Sequence, residues 1–166
     1  MDFTWSYPVS LHVYDMSKGV ARQWSTPMLG IQLDGIWHTS VVIYGREFFF
    51  VNDGVLNCSP GSSFLGQPDR VIHLGSTEVP ADVFKEYLRS LKESTYRGDK
   101  YNLFELNCNT FSNEVAQFLT GKKIPAHILA LPAQVLSTPL GAALRPYLDS
   151  MVKYPAGSGL SGQCNW

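Results

Sequence analysis

The sequence predicts an α+β fold in which an antiparallel β-sheet in the first half packs on helices of the second half. Up to Leu74, apolar and polar residues alternate with the two-residue period of strands, and short turn signals separate the runs. From Thr77 onward, apolar residues recur at helical spacing. A chain of 166 residues suits one core. We therefore expect one domain over residues 1–153 and a flexible Gly/Ser-rich C-terminal tail over residues 154–166.

Five strands are expected in the first half of the chain. They are Val9–Tyr14, Ile36–Tyr44, Glu47–Val51, Val55–Cys58 and Arg70–Leu74. A turn at Gly45-Arg46 predicts a hairpin between the second and third strands, with glycine supplying a positive φ. The segments Ser17–Gly30 and Ser59–Pro68 are predicted to be a polar connection and a loop.

Two longer helices are expected in the second half. The first begins near Pro80 and ends by Gly98, and the second covers Asn107 to Thr120 and ends at Gly121 in a left-handed cap. Two or three short helices follow, separated by prolines. Their leucines recur every four residues and predict a core-facing stripe. These leucines are Leu136, Leu140, Leu144 and Leu148.

Composition excludes several kinds of partner and cofactor. The net charge of -1, from 13 basic and 14 acidic residues, provides no positive field for nucleic acid. No run of 18 apolar residues predicts membrane insertion, and the N-terminus does not resemble a signal peptide, so a soluble intracellular protein is expected. The three cysteines and four histidines are scattered and predict neither a disulfide framework nor a metal site. No cofactor is expected.

Cys108 is the one cysteine whose neighbours favour reactivity. Asn107 can cap the second long helix, which would place Cys108 in its first turn, where free N–H groups stabilise a thiolate and an oxyanion. The competing interpretation is a small buried hydrophobic residue. Cys58 at a strand end and Cys164 in the tail lack a helix terminus or a basic neighbour.

His38 is the candidate base for such a cysteine. It lies on a predicted strand, where Trp37 and Thr39 share one face and His38 and Ser40 the other. A histidine is the usual base for a thiol nucleophile. Its position alone does not select it, because His12 and His73 also fall on predicted strands and a structural histidine is equally compatible with the pattern.

Several segments resemble the desumoylating isopeptidases of the PPPDE, or permuted papain-fold, peptidases. These are LxVYDMSKGxAR (11–22), LxGIWHTSVV (33–42), EFFF (47–50), YNLFELNCNTFSNEVAQFLTGKKIP (101–125) and LRPYLDS (144–150). The resemblance covers residues 7 to 151 and points to the first of the family's two main branches. It implies a circularly permuted papain-like fold in which histidine precedes cysteine.

The resemblance also implies roles for individual residues. The family's catalytic histidine falls on His38 and its catalytic cysteine on Cys108, and the family is described as using a dyad. No third catalytic residue is evident in the sequence. Gln32 and Asn107 are the nearest amides and are candidate oxyanion donors. A diglycine tail needs a narrow groove, for which Gly35, Trp37 and Phe104 are candidates.

The function implied by the resemblance is removal of the small ubiquitin-like modifier SUMO from lysine side chains through an acyl-enzyme, in the cytoplasm and nucleus. SUMO, SUMO-conjugated proteins and a second copy of the chain are the implied partners. The same dyad would also serve a thioesterase acting on S-acylated proteins or a deubiquitinating hydrolase. A non-catalytic adaptor for modified proteins is the alternative of another class.

Two further segments have two interpretations each. The run Phe48–Phe50 fits either an interface or a buried strand. The apolar residues between Ile128 and Leu136 are spaced loosely like a nuclear export signal, although a core-facing helix explains the same spacing.

Overall fold

A five-stranded sheet is the centre of the fold in the computed structural model, which describes residues 5–151. The strands are β1 (Tyr7–Asp15), β2 (Trp37–Ile43), β3 (Arg46–Val51), β4 (Gly54–Cys58) and β5 (Arg70–Thr77). They are all antiparallel and lie in the order β4-β3-β2-β1-β5. The predicted sheet is confirmed, and β1 lies beside both β2 and β5.

The helices follow the sheet in sequence, with one exception. They are α1 (Val20–Leu29), α2 (Ala81–Glu93), α3 (Cys108–Thr120), α4 (Ala126–Leu129), α5 (Leu131–Leu136) and α6 (Pro139–Met151), with a 3-10 turn at Gly98–Lys100. The helical second half is as predicted. Gly121 ends α3 with a φ of 74°, as expected for a left-handed cap.

The exception is α1, because the sequence predicted a polar connection over Ser17–Gly30. Its exposed apolar residues, Val20, Trp24 and Met28, are four positions apart and are 55%, 55% and 63% exposed. The residues it buries are Ala21 and Ser25. The prediction was wrong because the buried face of this helix is small and partly polar, so it lacks the usual core-facing stripe.

The turn between β2 and β3 is also one residue earlier than predicted. Tyr44 and Gly45 both have positive φ, 52° and 71°, and Arg46 is already the first residue of β3. Positive φ at both central residues is typical of the two-residue hairpin turn that matches strand twist. The Tyr44 hydroxyl donates a hydrogen bond to the Val79 carbonyl, which holds this turn against the start of α2.

The main core lies between the sheet and the helices. It includes Val9, Leu11, Val41, Phe48, Phe50, Phe84, Phe111 and Val115. A smaller cluster on the opposite face of the sheet contains Phe49, Val51 and Cys58. The residues Phe48–Phe50 therefore alternate between two cores and are at most 1% exposed. They belong to a buried strand, and the interface interpretation of this run is wrong.

The predicted leucine stripe faces the core only in part, because Leu136 and Leu148 are half-buried and the other two leucines are exposed. Leu140 and Leu144 of α6 are 38% and 40% exposed, and Pro146 lies inside α6 instead of ending it. The helix packs against α5 and α1, away from the sheet, which leaves one side of it in solvent.

The segment proposed as an export signal contributes to the fold. Ile128 is fully buried and Leu131 is 8% exposed. Two of its apolar side chains therefore serve the core and are not available on the surface. Over residues 5–151, none of the helices is both long and apolar enough to cross a bilayer. The predicted tail and Cys164 lie outside the described residues.

Candidate active site

The start of α3 is held by a capping box around Asn107. Its side-chain oxygen accepts hydrogen bonds from the N–H groups of Asn109 (2.9 Å) and Thr110 (3.1 Å). The Thr110 hydroxyl oxygen in turn accepts from the Asn107 N–H at 3.2 Å. Reciprocal capping of this kind fixes the first turn of a helix. Cys108 is thus the first residue of α3, as the sequence predicted.

Asn109 connects this helix to the strand that carries His38. Its amide nitrogen donates to the Trp37 carbonyl at 2.9 Å, and its amide oxygen accepts from the Thr39 hydroxyl at 2.7 Å. Both residues bonded to Asn109 are chain neighbours of His38. The sequence analysis missed this role because the partners of Asn109 are about 70 positions away in the chain, and its side chain is buried between the two elements, only 5% exposed.

Cys108 and His38 line the same cavity, which has a volume of about 330 Å³. Much of its wall is apolar and comes from Trp37, Leu103, Phe104, Leu131, Pro132 and Val135. The structure therefore brings together two residues that are 70 positions apart in the chain. It adds a wall from α5 that the sequence analysis did not connect with the site.

The groove candidates are placed in two ways. Trp37 and Phe104 line the cavity directly. Gly35 lies beneath Trp37, because a Cβ atom at Gly35 would come within 2.6 Å of the indole ring. The role of Gly35 is therefore to allow the indole to pack closely against the backbone.

The amide groups of the two oxyanion candidates make hydrogen bonds within the chain. Asn107 lines the cavity, but its side-chain nitrogen donates to the Leu103 carbonyl at 2.8 Å. Gln32 is exposed and is not part of the cavity wall, and its nitrogen donates to the Arg22 carbonyl at 2.9 Å. Gln32 therefore lies outside the site, and one of the two N–H groups of the Asn107 amide is already used within the chain.

Comparison with known proteins identifies the family. Residues 7–149 match the "PPPDE putative peptidase domain". The chain belongs to the PPPDE peptidase family. It is 60% identical over 159 residues to Desumoylating isopeptidase 1 of Rattus norvegicus and of Homo sapiens, covering 96% of this chain and 95% of each relative. Desumoylating isopeptidase 1 of Xenopus laevis is 59% identical over 152 residues, which are 92% of this chain and 90% of that protein.

The family resemblance stated from the sequence motifs is therefore confirmed, and the protein is a cysteine peptidase, a hydrolase. The α+β arrangement of an antiparallel sheet followed by helices agrees with this family. Within the PPPDE domain, the cavity shared by Cys108 and His38 is the candidate active site.

Burial sets the protonation state of Cys108 in this PPPDE peptidase. Desolvation raises the pKa of its thiol to about 11, even though N–H groups of Thr39, Asn109 and Cys108 itself and the Tyr101 hydroxyl lower it. The thiol lies 3.8 Å from the Asn109 amide oxygen, as an S–H donor would. The N–H groups at the helix start do favour a thiolate, as expected, but the loss of water outweighs them.

Burial acts on His38 in the opposite direction. Desolvation lowers the pKa of its imidazole to about 4, while the negative charge of Glu47 raises it. The His38 ring packs against Tyr14 and Phe49, with centroid distances of 5.7 Å and 6.0 Å. The resting site therefore holds a neutral thiol and a neutral imidazole, and the imidazole can accept a proton.

Proposed function

We propose that this protein removes SUMO from lysine side chains of its target proteins, with Cys108 as the nucleophile and His38 as the base. The observation that carries the proposal is that these two residues line one cavity in a PPPDE domain. Relatives of 60% identity over 96% of the chain bear the name Desumoylating isopeptidase 1. The bond cleaved would join the C-terminal glycine of the modifier to a lysine amine.

In the first half of the reaction, His38 takes the thiol proton as the Cys108 sulfur attacks the glycine carbonyl carbon. The carbonyl double bond opens, and its oxygen carries the negative charge. When this bond forms again, the carbon–nitrogen bond breaks, and His38 gives its proton to the departing lysine amine. The products of this half are the free target protein and a thioester between SUMO and Cys108.

In the second half, water takes the place of the lysine amine. His38 accepts a proton from water as the oxygen attacks the thioester carbon, and the carbon–sulfur bond then breaks. The sulfur leaves as the Cys108 thiolate and regains the proton from His38. SUMO is released as a carboxylic acid that loses its remaining proton to solvent, and the site returns to its neutral state.

The oxyanion of both halves needs hydrogen-bond donors close to the Cys108 sulfur. Cys108 supplies its own N–H at the first position of α3. The Tyr101 hydroxyl reaches Cys108 and lines the cavity. We assign the oxyanion contacts to these two groups in place of Gln32 and Asn107.

The proposal is tested with SUMO and ubiquitin carrying an electrophilic C-terminus, followed by mapping of the modified residue by mass spectrometry. We expect SUMO to label Cys108 and Cys108→Ala to remain unlabelled. Labelling by the ubiquitin probe alone would show that the modifier removed is ubiquitin and not SUMO. Labelling of Cys58 would contradict the choice of Cys108 as the nucleophile. Failure of both probes to react would overturn the proposal.

One observation favours a second candidate function, hydrolysis of S-acylated proteins. The cavity wall is dominated by apolar side chains such as Leu103, Leu131 and Val135, which would suit a fatty acyl chain. The same thiol and imidazole would cleave a thioester. Turnover of a fluorogenic S-acyl substrate at a higher kcat/KM than that of a SUMO conjugate would favour this candidate.

A homodimer is part of the proposal, and the structure offers a surface for it. Trp24 and Met28 of α1 and Tyr147 of α6 are 55%, 63% and 61% exposed, and α1 and α6 pack on each other. Light scattering is expected to give twice the chain mass, and Trp24→Ser is expected to reduce it. A monomeric mass at micromolar concentration would contradict this part.

A further inference from the structure

A layer of polar residues is buried on the sheet face opposite α3. Glu47 of β3 is fully buried there, with His12 and Tyr14 of β1 and Ser40 of β2, each at most 9% exposed. His38 belongs to the same face, because it is paired with Tyr14 and is two residues from Ser40. A buried carboxylate is costly unless hydrogen-bond donors surround it.

Glu47 has such donors on both oxygens. One oxygen accepts from the Tyr14 and Ser40 hydroxyls, each at 2.5 Å. The other accepts from the Gly61 N–H at 2.9 Å and lies 3.4 Å from His12 Nδ1. These contacts keep the carboxylate ionised and lower its pKa to about 2 in spite of burial.

Two residues that donate hydrogen bonds to Glu47 lie next to His38, one by ring contact and one on the same strand. The Tyr14 hydroxyl donates to Glu47 while its ring packs against the His38 ring at 5.7 Å. Ser40 donates to Glu47 from the same strand as His38. The carboxylate is thus linked to the surroundings of His38 by Tyr14, which contacts both residues. Nothing in the sequence marked Glu47 for this role, since it is nine residues from His38 and belongs to the EFFF strand.

The geometry points to Glu47 as a positioning residue whose buried negative charge stabilises the protonated form of His38. This inference rests on the proposed function, in which His38 carries a proton between attack and departure of the lysine amine. The hydrogen bonds from Tyr14 and Ser40 hold the Glu47 carboxylate, and so its charge, at a fixed place without contact with the substrate. The site then consists of the two proposed catalytic residues and one buried carboxylate behind the histidine.

A negative charge held near an imidazole increases the basicity of the imidazole, and burial of the charge strengthens this effect. Because Cys108 and His38 are both neutral at rest, the acid limb of the pH profile of kcat/KM reports protonation of His38. Glu47 and His38 have other titratable or charged groups around them. These are His12, Tyr14, Arg46, Cys58 and Cys108.

The test compares Glu47→Gln, which removes the charge, with Ser40→Ala, which removes one hydrogen bond to the same carboxylate and keeps the charge. For Glu47→Gln we expect the acid limb of kcat/KM to move to lower pH by about one unit and the plateau to fall about tenfold, with KM within about twofold. For Ser40→Ala we expect an unchanged limb. An equal loss in both variants, with neither limb displaced, would show a structural role and overturn the inference.

Alkylation of Cys108 by iodoacetamide separates this inference from the proposed function, because it needs removal of the thiol proton but no modifier. The same displacement of the acid limb is expected in the alkylation rates. A displaced limb in a protein that does not hydrolyse SUMO conjugates would reject the proposed function and keep the role of Glu47. Hydrolysis of SUMO conjugates by the wild type, with an undisplaced acid limb in Glu47→Gln, would keep the proposed function and reject the role of Glu47.

A third variant, Glu47→Asp, tests the inference even if Glu47→Gln fails to fold. Glu47→Asp keeps the charge and shortens the side chain by one methylene. It is expected to fold, as judged by circular dichroism, and to keep the acid limb within about 0.3 unit of wild type. A folded aspartate variant with the limb displaced by a full unit would overturn the inference.

Discussion

The Asn109 amide accepts a 2.7 Å hydrogen bond from the Thr39 hydroxyl and thereby joins α3, which begins at Cys108, to the strand of His38. A second bond, from the same amide to the Trp37 carbonyl, lies on the other side of His38. Asn109 therefore helps to fix the relative position of thiol and imidazole, although it takes part in no bond-making step of the proposed mechanism.

Replacing Asn109 with alanine should reduce turnover more than it reduces stability. Its loss leaves the Thr39 hydroxyl and the Trp37 carbonyl without these bonds, which costs about 1–3 kcal/mol of unfolding free energy. Displacement of Cys108 from His38 should lower kcat about tenfold to a hundredfold. Steady-state hydrolysis and urea unfolding measure the two effects.

Asn113→Ala is the matched control on the same helix. Its side-chain oxygen accepts a hydrogen bond from the Ile124 N–H at 3.1 Å, and it does not line the cavity. It should lose a similar unfolding free energy while keeping kcat near wild type. Equal kcat in the two variants would contradict a positioning role for Asn109.

Cys108→Ser and His38→Ala should each lower hydrolysis by at least about a thousandfold, because removal of either reacting group ends covalent catalysis. Both variants should give the circular dichroism of the folded wild type. Cys58→Ala is the control, since Cys58 is fully buried in the small cluster on the opposite sheet face. It should lose about 1 kcal/mol of stability and keep turnover. Full activity of Cys108→Ser would exclude Cys108 as the nucleophile.

Gly35→Ala should raise KM by displacing the Trp37 indole into the cavity. The new Cβ would lie within 2.6 Å of that ring, so the ring must move. We expect KM to rise about tenfold, corresponding to about 1.4 kcal/mol of lost binding. Asp34→Ala, at an exposed neighbouring position, should leave KM unchanged. A wild-type KM in Gly35→Ala would show that the indole does not limit access.

Burial of neutral His38 should make the protein less stable as pH falls from about 6.5 to about 4. Burial lowers the pKa of His38 to about 4 in the folded state, so in this range the unfolded chain binds the proton more readily. The loss is on the order of 3 kcal/mol across the full range. Above pH 6.5 this residue makes no contribution to the pH dependence.

Urea unfolding of wild type and His38→Asn between pH 7.5 and 4.5 measures this effect. The variant should show a shallower decline in unfolding free energy over the range. Glu47 adds a separate loss of stability at lower pH. Its pKa is lowered to about 2 in the folded protein, so the stability that its ionised form contributes is lost progressively as pH falls from about 4.5 to about 2. Parallel curves for the two proteins would contradict a buried neutral histidine.

The sheet, the two long helices and the first turn around Cys108 could be predicted because each depends on local signals. Alternation fixed the faces of β2, and Asn107 marked the start of α3. The helix α1 escaped prediction because it buries Ala21 and Ser25 and exposes its larger apolar residues. Periodicity identifies a helix only when its apolar side faces the core.

The chemistry around the two site residues depended on contacts that no local pattern contains. Asn109 and Glu47 read as an ordinary helix residue and an ordinary strand residue until the topology places β2 beside α3 and beside β3. The same applies to protonation. The helix N-terminus predicted a stabilised thiolate, whereas the extent of burial that raises the pKa of Cys108 follows only from packing of distant segments.

The neutral buried thiol also bears on oxidation. Hydrogen peroxide reacts with thiolates and hardly with thiols, and Cys108 with a pKa of about 11 is protonated at neutral pH. Among cysteine peptidases, those that keep a preformed thiolate are inactivated by brief exposure to oxidants. This one should retain its activity under the same exposure, because under the proposed mechanism its sulfur becomes nucleophilic only as His38 takes the thiol proton.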